Sequence, residues 1–463
     1  MDISGLMEKI KVHNEEILTR QTYKTLQNLF DSGSFVPISE YSSSCQDYEE
    51  VICGFGAING KPAYAFCQDF DTSKGIISKK HINNLKRLYS LAGKSNVPIV
   101  GIYSSVGMNL SDEENLLSDM GDLINYSLSL SKRIPQVSIA LGPCLGLNCI
   151  LARCADVFIA TNKAEVSIDI KNSCCLAETQ YDENVVDIIV KNIDDAFVYA
   201  KKLLSMLPSN NSIVPPKCNV MEPDISSFKG FDSVMEKICS FKSYDIKSEI
   251  LDFVFDKESA LELSNNDGQA FYTGVAKLGG VTVGITAMNS LQVNKSITNK
   301  DILKIKKLIK LCEKFSIPLI TFWDSKNFDS SQCAIDLYQL YNLTDICKIN
   351  LIIGEICGSL AAMILSQNEK LQNMTIAWPS AKILLLPSDT MSNIKYNESL
   401  KKSDNPILDR KKFMSAFKED SENLLKALQK GLISEVIDPL KTREKLFLLL
   451  ELFCAKNVLT DLK

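Results

Sequence analysis

The sequence predicts an α/β protein made of two tandem copies of one fold, and three observations carry that prediction. Apolar residues recur at helical spacing in two long segments, each followed by an almost unbroken apolar run of strand length. Three stretches match at a constant offset of 220 residues: GFGAINGKP at Gly54 with GVAKLGGVT at Gly274, Ile77-Ser78-Lys79-Lys80 with Ile297-Thr298-Asn299-Lys300, and Asn96-Val97-Pro98-Ile99-Val100 with Ser316-Ile317-Pro318-Leu319-Ile320. A later pairing, Gly142-Pro-Cys-Leu-Gly146 with Gly354-Glu-Ile-Cys-Gly358, holds at an offset of 212, which requires an eight-residue deletion. A match over one element arises by chance; a register kept across three does not.

Residues 1–30 are read as an N-terminal helical segment and 31–207 as the first copy. Within it, 52–58 and 63–66 are β-rich runs joined by Asn59-Gly60, a dipeptide favoured in two-residue hairpins. Residues 78–95 place Ile82, Leu85, Leu88 and Leu91 at helical spacing. The run 97–103 is almost wholly apolar, as suits a strand buried on both faces. Leu207-Pro208-Ser209-Asn210-Asn211 opens a polar stretch holding Pro215, Pro216 and Pro223, read as a linker over 208–240. The second copy, 241–463, repeats the plan with Ile302, Ile305, Leu308, Ile309 and Leu311 on its helix and 317–323 as its strand. Residues 387–410 read as a polar exposed loop, and 441–456 as a helix whose wide apolar stripe suits docking on another surface.

Composition narrows the function. The 463 residues, 45% hydrophobic, supply more than one core. With 51 Lys+Arg against 56 Asp+Glu, the net charge of −5 opposes nucleic acid as a partner. The two histidines, His13 and His81, are both read as surface residues; they cannot build a His-rich metal centre, and no metal is predicted. None of the 15 cysteines forms a CxxC pair, so zinc ribbons and dithiol redox motifs lack support. Cys53, Cys67, Cys312 and Cys454 sit in apolar segments, where a free thiol acts as a small hydrophobe. Residues 1–11 are charged and lack the apolar core of a signal peptide, and no run of about 18 apolar residues exists. A reduced, cytoplasmic compartment is therefore expected.

Glycines that follow buried strands are the candidate sites. The run 138–141 leads into Gly142 and Gly146, and 351–353 into Gly354 and Gly358. A turn from strand to helix leaves main-chain N–H groups without partners, and glycine lets a ligand approach them. Two such amides aimed at one point stabilise a developing oxyanion without a titrating side chain. That suits a chain with so little histidine.

Six stretches then resemble the carboxyltransferase subunits of biotin-dependent acyl-CoA carboxylases, decarboxylases and transcarboxylases. They are Ala63-Tyr-Ala-Phe-Cys-Gln-Asp-Phe70, Pro135-Gln-Val-Ser-Ile-Ala-Leu-Gly-Pro-Cys144, Leu203-Leu-Ser-Met-Leu-Pro-Ser-Asn-Asn211, Tyr244-Asp-Ile246, Ala377-Trp-Pro379 and Val436-Ile-Asp-Pro439. The likeness extends over roughly residues 30–455 and implies two crotonase-like domains, each a ββα superhelix. It implies transfer of a carboxyl group between a ureido nitrogen of biotin, held on a separate carrier protein or domain, and the α-carbon of a coenzyme A thioester. The implied partners are a biotin carboxyl carrier protein and biotin carboxylase or decarboxylase subunits, with acyl-CoA as substrate. By position, one oxyanion hole falls on Gly146 and Leu147 and serves the thioester enolate. The other falls on Ser359 and Leu360, beside Gly358, and serves the ureido oxygen. Gly107, Asn148, Gly358, Asp324 and Phe328 are the implied substrate-binding positions. The family builds its site between the first domain of one chain and the second domain of another. This implies a homo-oligomer, trimer or hexamer, or a hetero-oligomer with an intact paralogue.

The chain also departs from the family pattern. Where the family reads Asp-Ser-Gly-Gly-Ala-Arg, this chain reads Ser104-Ser105-Val106-Gly107-Met108-Asn109. The paired glycines of the two holes have become Gly146-Leu147 and Gly358-Ser359. Asp324-Ser-Lys-Asn-Phe328 loses an internal Pro-Gly, and a Met-Gly-Ala-Glu-Gly-Ala stretch has become Leu386-Pro-Ser-Asp-Thr-Met391. A main-chain donor survives such changes unless φ must be positive or the ligand packs on Cα. Leu147 is therefore expected to narrow the acyl pocket rather than abolish the hole. The alternative expectation is a non-catalytic paralogue, a scaffold or regulatory partner of an intact carboxyltransferase. Glu355, beside the second glycine turn, is either an acid or a solvated glutamate.

Overall fold

The computed structural model describes residues 15–38, 50–109, 113–168, 185–223, 230–240, 242–264, 271–288, 296–325, 327–366, 373–387 and 422–460, with scattered positions between 390 and 409. His13 and most of the polar stretch 387–410 lie outside them. Two compact units divide the chain, Met1–Pro216 and Lys217–Lys463.

In the first unit, helix α1 (Gln21–Leu29) packs on a sheet of β1 (Val36–Pro37), β2 (Val51–Ile58), β3 (Lys61–Gln68), β4 (Ile99–Ser105), β5 (Gln136–Leu145), β6 (Val157–Thr161), β7 (Val166–Ser167) and β8 (Ile188–Val190). The strand order is β1-β2-β3-β4-β5-β6-β8, with β7 paired to β5. The expected β2–β3 hairpin forms: Asn59 and Gly60 take φ of 50° and 73°, the double positive pair that matches strand twist. Asp31 fixes the turn by accepting both N–H groups, at 3.0 and 2.8 Å. From β3 onward the pairings are parallel, with α2 (Lys79–Ser95), α3 (Glu113–Leu130) and α4 (Leu147–Arg153) in the crossovers and α5 (Ile193–Met206) after β8. Ser78 caps α2 by accepting from the His81 N–H, and Ile82, Leu85 and Leu88 reach the core with Phe66 and Tyr103. All seven residues of β4 are buried, as its continuous apolar run requires.

One expectation changes here. Residues 142–145, expected as the start of a turn, are strand. β5 carries on past Ala140, shifts register opposite Tyr103 and Ser105, and leaves β6 to pair with β7 through Cys144 and Leu145. The turn itself is confined to Gly146.

The second unit repeats the plan. Its sheet runs β19-β17-β15-β13-β11-β10-β9. These are β9 (Leu261–Glu262), β10 (Phe271–Leu278), β11 (Val281–Met288), β13 (Leu319–Trp323), β15 (Lys348–Ile352), β17 (Asn373–Ala377) and β19 (Glu435–Val436). Two small parallel pairs stand beside it, β12 (Ser296–Ile297) with β14 (Asn327–Phe328) and β16 (Glu355–Cys357) with β18 (Lys382–Leu384). The longer helices among the described residues are α6 (Phe231–Cys239), α7 (Asn299–Lys314), α8 (Ser331–Leu343), α9 (Gly358–Ile364), α10 (Glu422–Gln429) and α11 (Thr442–Thr460). The 220-residue repeat persists in detail. Thr298 caps α7 as Ser78 caps α2, and Ser316 repeats the left-handed Asn96, at φ 52° and 50°.

The second hairpin turn shows why Gly-Gly replaces Asn-Gly. Asp256 accepts from Gly279 and Gly280 at 3.0 and 2.8 Å, repeating Asp31. A Cβ at Gly279 would lie 2.2 Å from the Phe447 ring, and one at Gly280 would lie 2.1 Å from the Cys218 carbonyl oxygen. A Cβ at Gly60 in the first copy would meet no atom of the described residues within 4 Å.

The stretch read as a linker over 208–240 ends in α6, whose Phe231, Val234 and Ile238 are buried in the second unit's core. The stripe on 441–456 is partly spent at home. Leu446, Leu449 and Leu450 are buried, while Leu448 and Leu452 are exposed. The Cys454 side chain lies outside the described residues, whereas Cys53, Cys67 and Cys312 are buried and free. Among the described residues no helix is long and apolar enough to cross a membrane.

Candidate active site

The two predicted turns occupy equivalent places in the two units. Each follows a short parallel strand pair and opens a helix, α4 in one unit and α9 in the other. Gly146 and Gly358 take φ of 59° and 56°, a region that L side chains rarely adopt. In the first turn the Gly146 N–H donates to the Ser167 carbonyl at 2.8 Å, while the Gly146 carbonyl accepts from Cys149 at 3.1 Å. The N–H groups of Leu147 and Asn148, in the first turn of α4, have no acceptor among the described residues. The same holds for Ser359 and Leu360 in α9. Of the predicted main-chain donors, those of Leu147, Ser359 and Leu360 are unengaged among the described residues, whereas the Gly146 N–H is taken by Ser167 and the Asn148 N–H stands open in its place.

The supports beneath the turns differ. Asp324, at the end of β13, is 1% exposed and accepts from the Tyr244 hydroxyl at 2.9 Å and the Glu355 N–H at 3.1 Å. Burial, and then the Asp324 carboxylate, push the Tyr244 hydroxyl well above its ordinary range, so it stays a donor. Asp324 thus grips the strand leading into the second turn. Gly354 admits it, since a Cβ there would lie 2.1 Å from Asp324 Oδ1. Glu355, weighed as solvated, is 3% exposed.

In the first unit the position equivalent to Asp324 is Ser104, and the support comes from elsewhere. The Asn148 side chain, expected to bind substrate, is 1% exposed and engages Gln68 twice: Gln68 Nε2 donates to Asn148 Oδ1 at 3.0 Å, and Asn148 Nδ2 donates to Gln68 Oε1 at 3.1 Å. Gln68 Oε1 also accepts from the Ser104 N–H at 2.9 Å, and Gln68 Nε2 lies 3.4 Å from His81 Nε2. His81, read as a surface residue, is buried at the start of α2, and burial pushes its pKa down to about 3. It is a neutral member of this cluster.

The other predicted positions scatter more. Gly107 (φ 131°) donates its N–H to Ser105 Oγ at 3.1 Å and accepts from the Ile77 N–H at 2.9 Å. Phe328 is half-buried in β14, paired with Ile297. The Leu147 side chain packs against the first unit's core, and Leu360 is wholly buried in the second. Sequence reasoning missed Gln68 and Tyr244 as supports, although both stand inside motifs it quoted. A glutamine at the inner end of an apolar strand is the signal that was available.

The profile of the carboxyl transferase domain matches residues 20–170 and 176–462. The chain belongs to the carboxyl transferase domain family. Among its relatives, the methylmalonyl-CoA decarboxylase subunit alpha of Propionigenium modestum is 24% identical over 91% of this chain and 87% of its own length. The biotin-dependent long chain acyl-coenzyme A carboxylase beta4 subunit of Mycobacterium tuberculosis is 26% identical over 90% and 85%. A solved structure of transcarboxylase 12S, with methylmalonyl-coenzyme A and methylmalonic acid bound, superposes with a TM-score of 0.83 at 22% identity, covering 98% of this chain and 96% of that one. The carboxyl transferase fold of this chain, two crotonase-like units in tandem, is thus shared over nearly its whole length.

Proposed function

We propose that this chain is the carboxyltransferase component of a biotin-dependent acyl-CoA carboxylase or decarboxylase, working with biotin held on a separate carrier. The single observation that supports it most is the pair of equivalent turns, each with two N–H groups unengaged among the described residues behind a positive-φ glycine, in a chain of this family. The chemistry asks for two negative oxygens to be met: the enolate oxygen of the thioester and the ureido oxygen of biotin. Leu147 and Asn148 N–H groups receive the first, and Ser359 and Leu360 N–H groups the second. Such donors are fixed before the reaction and need no reorganisation, which is why losing one costs about 10²–10³ in rate.

Biotin, when bound, supplies the carboxyl group and the basic nitrogen. Of the titratable side chains near the turns, Asp324 and Tyr244 are paired with one another, and His81 is neutral. The chain's own work is to bind, orient and stabilise charge. The Leu147 side chain, standing in place of a second glycine, packs against the first unit's core, and its main-chain N–H still serves the turn. The two turns of one site come from different copies of the chain, so a homo-oligomer is required.

The test supplies the full-length protein with a carboxylated biotin carrier and a panel of short acyl-CoAs. The expected result is label in malonyl-type products. No transfer to any acyl-CoA, together with no binding of coenzyme A by calorimetry, contradicts the proposal.

A further inference from the structure

The internal repeat supplies a control that no relative is needed to provide. At the offsets that align the units, Gln68 corresponds to Met288 and Asn148 to Leu360. Met288 and Leu360 are both wholly buried, so the second unit puts apolar residues at these two positions. The first unit fills them with two amides that satisfy one another at 3.0 and 3.1 Å. An apolar pair of similar volume serves stability at least as well as a buried polar pair. The distinct effect of the polar pair is directional, because a satisfied hydrogen-bond network admits one arrangement where packed alkyl groups admit several.

We infer that Gln68 is a positioning residue for the first oxyanion turn, acting through the side chain of Asn148. Asn148 is the second residue of α4, and its own main-chain N–H is one of the two unengaged donors. Gln68 ties that residue to β3, on which it stands, and to β4 through the Ser104 N–H at 2.9 Å. The Ser104 N–H, which can only donate, fixes the orientation of the Gln68 amide: its oxygen faces Ser104 and Asn148 Nδ2, and its NH₂ side faces Asn148 Oδ1 and His81 Nε2, the latter 3.4 Å away. The second turn is held differently, by the Asp324 carboxylate on the Glu355 N–H. With serine at position 104 the first unit has no such carboxylate, and the amide bridge takes over the task. This inference rests on the reading of the first turn as an oxyanion hole.

The experiment uses full-length protein and two ligands, coenzyme A itself and a coenzyme A thioether whose nitro group ionises to a nitronate where the thioester enolate would form. Calorimetry gives the preference for the nitronate over coenzyme A. The variant Gln68→Met/Asn148→Leu installs the second unit's own pair; the swap Gln68→Asn/Asn148→Gln keeps two complementary amides. The inference expects wild-type protein to prefer the nitronate. It expects Gln68→Met/Asn148→Leu to lose that preference by ~10-fold or more while its coenzyme A affinity and melting temperature stay near wild type. The swap should recover part of the preference. Asn148→Ala, which leaves the buried Gln68 amide short of two partners and so lowers the melting temperature, should lose the same nitronate preference and decides the matter should the double variant not fold. A Gln68→Met/Asn148→Leu protein, or Asn148→Ala, with full nitronate preference overturns the positioning role alone. A wild-type protein that binds both ligands equally overturns the oxyanion-hole reading and the inference with it.

Discussion

His81 and Tyr244 show how much the environment of a single side chain decides. A buried imidazole with its pKa at about 3, against an ordinary value of 6.5, is neutral in the fold and gains a proton on unfolding. Between those two pH values the unfolded chain binds more protons, so stability rises with pH through that window and falls as acid is added. His81→Gln removes this dependence. Denaturant midpoints measured from pH 6.5 down to pH 3 should fall less steeply in the variant than in wild type; parallel curves would contradict it. Tyr244→Phe leaves one oxygen of the buried Asp324 carboxylate short of a donor. Urea unfolding should show a loss of about 1–3 kcal/mol, and an unchanged midpoint would contradict the assignment. Both residues were poorly legible in the sequence. Periodicity marks apolar faces, and a lone histidine at the start of a helix, or a tyrosine in an irregular stretch, carries no sign of what surrounds it. Glu355 went astray for the same reason: it is buried, and its main chain is held by Asp324, 31 residues away in the chain, neither of which a local window shows.

At the scale of elements the sequence was far more informative, because strands, helices and caps are written in local patterns. The hairpins, the helices after Ser78 and Thr298, and the buried strands after them stand where the spacing placed them. What failed was the end of β5. Gly142-Pro143 reads as a turn, yet the strand passes through it, since the neighbouring Cys144 N–H finds the Glu165 carbonyl at 2.8 Å. The pairing that rescues a proline-containing strand lies some twenty residues on, beyond any local window. The two hairpin turns give a prediction at this scale. Gly279→Asn copies the first turn into the second and drives a side chain into Phe447. It should destabilise by about 1–3 kcal/mol, whereas the reverse change, Asn59→Gly, loses one exposed hydrogen bond to the Lys201 carbonyl and should cost less than about 1 kcal/mol. Equal losses in thermal unfolding would show that the turns are not constrained differently.

For the whole molecule, the sequence disclosed the duplication and, through the likeness to a known family, the identity of both units. It placed both glycine turns, but put the first pair of main-chain donors one residue early, since the Gly146 N–H is bonded to the Ser167 carbonyl. It did not disclose what supports the turns, because the two copies use different chemistry at equivalent positions, a carboxylate in one and an amide pair in the other. The central claim is that catalysis needs the first turn of one copy and the second turn of another. Valine at Gly146 or at Gly358 forces a β-branched side chain into positive φ and should collapse one turn while sparing the other. Each variant alone should therefore be inactive in carboxyl transfer. The most direct measurement unfolds, mixes and refolds Gly146→Val and Gly358→Val chains in equal amounts and then assays transfer from a carboxylated biotin carrier to acyl-CoA. A site shared between copies predicts recovery to about one quarter of wild-type activity, because random neighbours join an intact first unit to an intact second unit in that fraction of sites. A mixture as inactive as its two components, formed from oligomers shown to contain both chains, would contradict it.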